Sequence, residues 1–445
     1  MKRNELEAIG IFDDSFEFHT VSALVKAGIL ERPIDGNHGE IHPKGEDFVS
    51  SGVPFLMASD IDNGVVDYHS CKFITAKRAD GLRKGFAKNG DVLLTHKATI
   101  GRTAIVDYHA HPYVMLTPQV TYYRVRNKKR LSNRYLRLYF ESSFFQSVLN
   151  LWAGSGATRA YLGITEQGKL PIVLPPFGKQ QKLAAVLSAY DDLIENNRRR
   201  IALLERMAEQ LYREWFVRFR FPGYHQAKFE KGRPVGWSSV PVAKAFRFTG
   251  GATPSKDTAR YWKEGTINWF TPSDITAADG LFLGESGLRC TEEGLSSCSA
   301  TLFPAYSVMM TSRATIGAIG INTTPACTNQ GFIACLPNER YPLSYLYHWL
   351  KLSKDYFLSL CGGATFPELT KGTFKRIEVL TPPSSLVAEF DRRATPIFDS
   401  MEKLERANAV LAKSRDLLLP RLISGKLRVD DLDIQFPPSM QAEHA

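Results

Sequence analysis

The clearest pattern of apolar and polar positions is a pair of long helical stripes. Leu183, Leu187, Tyr190, Ile194, Asn197, Ile201, Leu204, Ala208, Leu211 and Trp215 step alternately by four and three. Moving on by 207 residues gives Phe390, Ala394, Ile397, Met401, Leu404, Asn408, Leu411, Arg415, Leu418 and Leu422. Both stripes have coiled-coil spacing, and each holds one asparagine, a device that fixes register. Two equivalent seams in one chain predict that the helices pack on each other; the alternative is two amphipathic helices lying on separate domains. Ser188 stands three residues before Asp191, a capping-box spacing, and Thr395-Pro396 occupies the matching place. A break or kink is therefore expected near 188 and 395, with rods of roughly 40 Å beginning there. Gly425 reads as the cap that ends the second rod.

Elsewhere the period is two. Asp91–Thr95 and Val120–Val125 read as strands, answered by Ser307–Thr311 and Gly331–Cys335. Helix-like segments follow at Asn133–Leu151 and Pro342–Leu360. Phe221–Trp237, rich in Gly, Pro and charge, reads as a linker.

These echoes belong to an internal repeat. Phe55-Leu-Met-Ala-Ser-Asp-Ile61 matches Trp269-Phe-Thr-Pro-Ser-Asp-Ile275, and Thr95-His-Lys-Ala-Thr-Ile-Gly101 matches Thr311-Ser-Arg-Ala-Thr-Ile-Gly317. Thr117-Pro-Gln119 meets Thr328-Asn-Gln330, Gly156-Ala-Thr158 meets Gly363-Ala-Thr365, and Pro175-Pro176 meets Pro382-Pro383. The offsets, 214, 216, 211, 207 and 207, run in one order with little drift. Two units of about 210 residues result, too long for a solenoid repeat.

Composition narrows the class. The 445 residues are 44% hydrophobic and 23% charged, ordinary globular usage and enough for two to four domains. No apolar run approaches the roughly 18 residues of a membrane helix. Met1–Gly10 lacks the apolar core of a signal peptide, and six cysteines without a Cys-x-x-Cys pair fit no disulfide framework. A cytoplasmic protein with free thiols and no membrane partner is expected. The formal charge is +10. Ala76–Arg137 alone holds fourteen Lys/Arg against three Asp/Glu, interleaved with tyrosines. That is the footprint of a phosphate-binding face, or else a solvated surface of snorkelling side chains.

A search for catalytic chemistry returns little. There is no Gly-x4-Gly-Lys-Ser/Thr loop for a nucleotide, and Gly154-Ser-Gly156 fails as a dinucleotide fingerprint because Arg159 takes the sixth place. Leu174-Pro-Pro-Phe177 carries leucine where an amino-methyltransferase needs Asn or Asp. Gln-x-Lys at Gln167, Gln180 and Gln226 lacks the upstream acid of a nuclease. His109-Ala-His111 reads as a surface or DNA-facing pair rather than a metal site, and the cysteine pairs eight apart read as small core or surface residues. A duplicated, basic chain with joined helices reads as a bivalent scaffold whose two modules reach DNA sites about one turn, ~34–36 Å, apart.

In these strings the chain resembles the specificity (S) subunits of Type I restriction–modification enzymes, over roughly residues 19–425. The resemblance rests on Asp35-Gly-Asn-His-Gly-Glu40 before Phe55–Ile61, and on Gly236-Trp237 before Gly250-Gly-Ala-Thr-Pro-Ser-Lys256. It also rests on Gly90–Thr95 with Ala98–Arg102, on Pro175-Pro-Phe-Gly-Lys-Gln-Gln181, and on Leu417–Gly425. It implies a mixed α/β (α+β) fold: two tandem target recognition domains separated by two long helices packed as an antiparallel coiled coil, with an internal pseudo-twofold repeat. The expected boundaries are 1–178 and 221–383 for the recognition domains (the latter with its linker), 179–220 and 384–427 for the helical spacers, and 428–445 for a C-terminal tail.

The resemblance further implies that each domain reads half of a bipartite asymmetric target in double-stranded DNA, while the helices act as ruler and as dock for two methyltransferase subunits. Restriction/translocase subunits join these. The chain itself holds no cofactor and no metal; S-adenosylmethionine, ATP and Mg belong to the partners. Two departures stand out. Ser384-Ser385 and Val387 replace Phe177-Gly178 and Gln180 at the second helix, and Ser238–Pro383 has thirteen Lys/Arg against eleven Asp/Glu. A stand-alone DNA-binding or nuclease-associated defence protein is the alternative.

The DNA-binding candidates follow from residue chemistry. Lys97, Arg102 and Arg313 flank the repeated turn and suit phosphate or guanine edges; Gln119 and Gln330 suit adenine. Thr158, Arg159 and Thr365 follow the Gly-Ala turns, and Asn37, His38 and Lys256 sit in Gly-rich strings. For each the alternative is turn structure, above all where both copies share the residue. The seam is expected to be built from Leu187, Ile194, Asn197, Ile201, Leu204, Leu211, Met401, Leu404, Asn408, Leu411 and Leu418.

Overall fold

The computed structural model describes residues 13, 15–62, 64–154, 160–362 and 367–441. The chain divides into two compact units, Met1–Ile194 with Val410–Ala445, and Glu195–Ala409. Each contains a mixed globule and stretches of both long helices.

In the first unit a four-stranded sheet runs in the order Thr99–Ile105, Val92–Lys97, Val120–Tyr123, Ile34–Asp35. A second sheet of five short strands includes the parallel pair Val53–Leu56 and Val114–Leu116. Val120–Tyr123 is buried throughout, which explains its unbroken run of β-branched and aromatic residues. Strands Glu17–Thr20 and Pro171–Leu174 pair antiparallel and close the globule.

The second unit repeats this plan. Its main sheet runs Phe248–Gly250, Phe332–Cys335, Val308–Thr311, Ile319–Asn322, Phe282–Leu283; the first four answer the four strands of the first unit in the same spatial order. Leu288–Cys290, Ile267–Phe270 and Ala326–Thr328 form the counterpart of the second sheet, again with the equivalent pair, Ile267–Phe270 and Ala326–Thr328, parallel. Ser238–Pro241 and Glu378–Thr381 close the globule. Equivalent tyrosines lock each closing strand: Tyr135 Oη donates to the Val173 carbonyl at 2.8 Å, and Tyr345 Oη to that of Leu380 at 3.0 Å.

Each expected helix-like segment is two helices. Ser142 breaks the first, its hydroxyl accepting from the Phe145 N–H at 3.3 Å as an N-cap, and Ser353 separates Leu343–Leu352 from Lys354–Ser359.

The long helices span Phe177–Tyr212 and Ser384–Ile423. Each begins directly after its Pro-Pro pair, whose second carbonyl accepts from the first turn: Pro176 from Lys179 and Gln180, Pro383 from Leu386 and Val387. No break falls at 188 or 395: both helices run through these positions and start earlier. Ser188 is buried inside the first helix, and its presumed capping partner Asp191 instead accepts hydrogen bonds from Arg137 and Arg415. Pro396 sits within the second helix; the missing N–H is tolerated because Ala394, Phe398 and Met401 around it are buried. At the far end Gly425 adopts φ +74° and the Leu427 N–H returns to the Arg421 carbonyl, the expected left-handed cap.

The two helices run antiparallel, as the contacts inside each unit show. In the first unit Leu183, Ala184 and Leu187 share a core with Leu419, Leu422 and Ile423, and Asp191 pairs with Arg415 at 2.7 Å. In the second, Asn197 Nδ2 donates to Asn408 Oδ1 at 2.9 Å, Ala208 packs with Phe398, and Tyr212 packs with Phe390 and Ala394. Contacting residues rise in number on one helix as they fall on the other. Leu187, Ile194 and Met401 are buried, whereas Ile201, Leu204, Leu211, Leu404, Leu411 and Leu418 are half-buried. A single facing helix covers only one side of such residues.

Each globule is fastened to the helices by polar side chains. In the first unit buried Arg137 donates to Asp191 at 2.6 Å and to Glu141 at 3.3 Å, and Gln180 accepts from the Ser132 N–H while donating to the Arg130 and Pro175 carbonyls. In the second unit Lys351 reaches Glu205 at 2.8 Å and Glu209 at 3.0 Å, and Glu405 accepts from the Leu281 and Phe282 N–H groups at 3.0 and 2.9 Å. Burial pushes the Glu405 carboxyl up.

Two segments expected to be loose are packed. Phe221 and Trp237, at the ends of the presumed linker, join the aromatic cluster of Tyr212, Trp215 and Phe216, and Phe229–Glu230 forms a hairpin with Arg233–Pro234. The C-terminal tail returns to the first unit, where Val429 and Met440 are buried and Lys182 Nζ donates to the Asp430 and Leu432 carbonyls.

Candidate nucleic-acid interface

The five repeated strings were separate in sequence. In each unit, three of them come together at one end of the main sheet.

The centre is a tight hairpin. In the first unit Lys97 faces Thr99 across the turn, with Ala98 at φ +66° and Gly101 at φ +89°. In the second unit Ala314 has φ +56° and Gly317 φ +82°. A left-handed alanine costs on the order of 1–2 kcal/mol, and the same strain at the same place in both copies marks a shape imposed by its surroundings. One bond holds both turns: the Thr95 hydroxyl accepts from the Arg102 N–H, and the Thr311 hydroxyl from the Ala318 N–H, each at 2.9 Å.

The Thr-x-Gln strings lie alongside. The His96 N–H donates to the Gln119 carbonyl at 2.9 Å, and the Ser312 N–H to that of Gly331 at 2.8 Å. The Thr117 N–H reaches the Leu56 carbonyl and the Asn329 N–H that of Phe270, each at 3.0 Å, which brings in the Ser-Asp-Ile strings. There Asp60 and Asp274 cap their own turns, accepting from the Met57 and Thr271 N–H groups at 2.8 and 2.6 Å. Gly36 and Gly251 allow the glycine-rich loops to come close: a Cβ would lie 1.9 Å from the Leu116 carbonyl oxygen in one and 1.8 Å from that of Thr328 in the other.

The Gly-Ala-Thr strings, with Thr158, Arg159 and Thr365, lie outside the described residues. The chain that follows each is bonded to the hairpin: Lys97 bridges Tyr161, and Arg313 bridges Glu368. The Leu162 N–H donates to the His96 carbonyl at 3.1 Å, and the Leu369 N–H to that of Ser312 at 2.9 Å. The Pro-Pro strings are not part of this edge; they start the long helices.

The candidates fare differently at this edge. Lys97 is exposed, its Nζ 5.9 Å from the Tyr161 ring centroid. Arg313 donates from Nε to Glu368 at 2.9 Å. Arg102 spends one N–H on the Ile61 carbonyl at 3.0 Å and lies 3.9 Å from Asp62. Gln119 Oε1 accepts from the Ala58 N–H at 3.3 Å and Gln330 Oε1 from the Thr253 hydroxyl at 2.7 Å, so each carbonyl already spends one of its two lone pairs inside the protein. Lys256 is exposed, with no hydrogen-bond or ion-pair partner among the described residues.

Asn37 anchors a loop. It is buried, accepts from the Arg83 and Lys84 N–H groups and donates to the Lys84 carbonyl, so both acceptor positions and one of its two N–H donors are spent inside the protein. What it presents is Arg83, exposed at the same edge and not singled out by the sequence pattern. His38 is half-exposed and shares the Asp35 carboxylate with Lys84. Burial pushes that carboxyl up, but Lys84 and His38 outweigh it and hold it below the ordinary range.

The basic stretch is less concentrated than its sequence suggests. Arg78 pairs with Asp47, Arg124 with Asp91 and Glu31, Arg130 with Glu17, and Arg137 with Asp191 and Glu141. Lys88, Arg126, Lys128 and Lys129 are exposed but lie at the opposite end of the strands from the hairpin. Near the repeated edge the basic side chains are Arg83, Lys84, Lys97 and Arg102. Tyr161 and Glu368, which face the tip cation in the two copies, were missed; the 207-residue offset that pairs them was the available signal.

A twinned fold whose repeated strings build the same basic or polar edge twice defines a two-module recognition protein. The comparisons agree. Residues 35–206 and again 234–413 match the family described as the Type I restriction modification DNA specificity domain, and the chain belongs to that family. It is 31% identical over 182 residues to the Type I restriction enzyme MjaIX specificity subunit of Methanocaldococcus jannaschii, covering 40% of this chain and 42% of that protein. It is 22% identical over 439 residues to the Type I restriction enzyme HindI specificity subunit of Haemophilus influenzae, covering 84% and 94%. The crystal structure of the S subunit of a Type I restriction–modification system from M. genitalium shares the fold, with a TM-score of 0.51 at 14% identity over 95% of this chain and 98% of that one. Among the described residues no helix is long and apolar enough to cross a membrane.

Proposed function

We propose that this chain is the DNA-recognition subunit of a Type I restriction–modification complex. Each globule reads one half of a bipartite, asymmetric target in double-stranded DNA, and the paired helices set the spacing and dock two methyltransferase subunits. Restriction/translocase subunits complete the assembly. In this reading the chain is not itself an enzyme. Methyl transfer from S-adenosylmethionine and ATP- and Mg-dependent cleavage belong to the partners, and the complex works in the cytoplasm.

The observation that carries the reading is the twinned edge: three repeated strings build the same strained turn twice, while the side chains mounted on it differ. A shared frame with differing readers suits two different half-sites. Docking is supported by apolar side chains left outside the seam. Leu203 and Met207 on the first helix are 52% and 59% exposed, and Val410 and Leu417 on the second 64% and 62%.

The test is the genome-wide adenine methylation of the host with and without the gene. The expected result is loss of one split, asymmetric motif on deletion. An unchanged pattern in a host whose methyltransferase gene is expressed would contradict the reading.

A further inference from the structure

The two turns share their left-handed alanine and glycine and the threonine bond that holds them, and among the side chains that differ, such as Arg102 against Ala318, two face each other across a bridge. The tip cation is Lys97 in one copy and Arg313 in the other, and the residue bridged to it is Tyr161 or Glu368. In the first copy the ammonium lies near a ring face, with no carboxylate partner among the described residues. In the second the guanidinium Nε–H is bonded to Glu368 Oε1 at 2.9 Å, with the two side chains 47% and 37% exposed. Backbone fixes that pairing, through the Arg313–Glu368 bridge and the Leu369-to-Ser312 hydrogen bond.

The difference has a chemical consequence. A lysine ammonium is a compact point charge suited to one phosphate. Arginine is a planar fork. With its Nε edge taken by a carboxylate, its plane is oriented and its two terminal nitrogens have no partner among the described residues. The neighbouring carboxylate also repels a phosphate. A planar donor beside a fixed negative charge fits the O6 and N7 acceptors of guanine in the major groove.

Resting on the reading above, we propose that Arg313, positioned by Glu368, reads a guanine in the half-site of the second domain, whereas Lys97 holds a backbone phosphate in that of the first. Glu368 is a positioning residue and makes no base contact of its own.

Full-length variants returned to the host in place of the wild-type gene test this, with methylated motifs mapped genome-wide and DNA binding measured on the complex purified through this chain. Arg313→Ala and Arg313→Lys should each make one guanine position of one half-site degenerate, discrimination falling roughly 10-fold or more, with the other half unchanged. Glu368→Ala should relax the same position while raising affinity for unrelated DNA; Glu368→Gln, which keeps an acceptor oxygen, should retain discrimination. Lys97→Ala should leave the motif intact and lower the salt slope of binding by about one. The proposal is overturned if every guanine survives in both Arg313 variants, or if Glu368→Ala matches wild type in both readouts. Loss of the whole motif in both Arg313 variants would also overturn it, by assigning Arg313 to the fold. A motif unaffected by deleting the gene would remove the broader reading, and the proposal with it, before any single residue is changed.

Discussion

His348 offers a stability test that is confined to the second unit. It lies on the helix Leu343–Leu352, fully buried, its ring stacked 5.4 Å from Tyr212 and edge-on to Tyr347 and Phe398. Nδ1 bonds the Ser344 carbonyl at 2.7 Å. Burial pushes its pKa down to about 4, with Lys351 acting in the same direction and Glu205 and Glu209 opposing. The folded state therefore prefers the neutral ring. Its stability is fully present above the unfolded value near 6.5 and is lost as pH falls toward 4. From pH 7 to pH 5 a single group with these two values removes about 2 kcal/mol. The twin position in the first unit carries buried Leu138, so His348→Leu is the natural comparison. It should be nearly neutral at pH 7 and should abolish about 2 kcal/mol of the pH dependence. Urea unfolding followed by tryptophan fluorescence is well placed to read this, because Trp215, Trp237, Trp262, Trp269 and Trp349 all lie in the second unit and only Trp152 in the first. Glu205 and Glu209, held below the ordinary range, also lose stability in acid, mainly through Lys351, which both proteins keep; His348 is only the smallest cause of the Glu205 shift. If wild type and variant lose stability in parallel between pH 7 and 5, the buried neutral histidine is the wrong explanation.

Other expectations follow from the fastening points. Arg137→Met should cost the first unit about 2–3 kcal/mol, below the roughly 3–5 kcal/mol of a fully broken buried pair, because Asp191 keeps Arg415 and Glu141 keeps Thr103; hydrogen exchange over the first unit reads it. Asn197→Leu should cost about 1 kcal/mol by stranding the Asn408 amide, and the double variant with Asn408→Leu should recover most of that, giving a clear coupling in a double-mutant cycle. Truncation after Ser424 removes buried Val429 and Met440 and should destabilise the first unit by about 3–6 kcal/mol, leaving the tryptophan-reported transition of the second in place.

Much of the architecture was legible in sequence because it was written twice. The heptad seams and the collinear strings located both long helices and both globules. The misread features are those in which tertiary contacts replaced a local signal. Ser188 and Asp191 have capping spacing, yet Asp191 is taken by two arginines from elsewhere in the unit. Phe221–Trp237 has the composition of a linker, yet its terminal aromatics fill a core. The charge run at 76–137 is real, but strand direction sends part of it to the wrong end of the sheet, and acids distant in sequence neutralise much of the rest. Asn37 illustrates the general difficulty at the site: a polar residue in a glycine-rich string is as well suited to hold a loop as to touch a base, and only its partners decide.

The central claim is that the two edges read separate halves of one target. Its most direct test is to exchange residues 1–178 for the corresponding domain of a relative with a different, known motif, and to map methylation in the host. The account predicts a hybrid motif in which one half changes and the other half stays as in wild type. A change in both halves, or in neither while methylation persists, would contradict it.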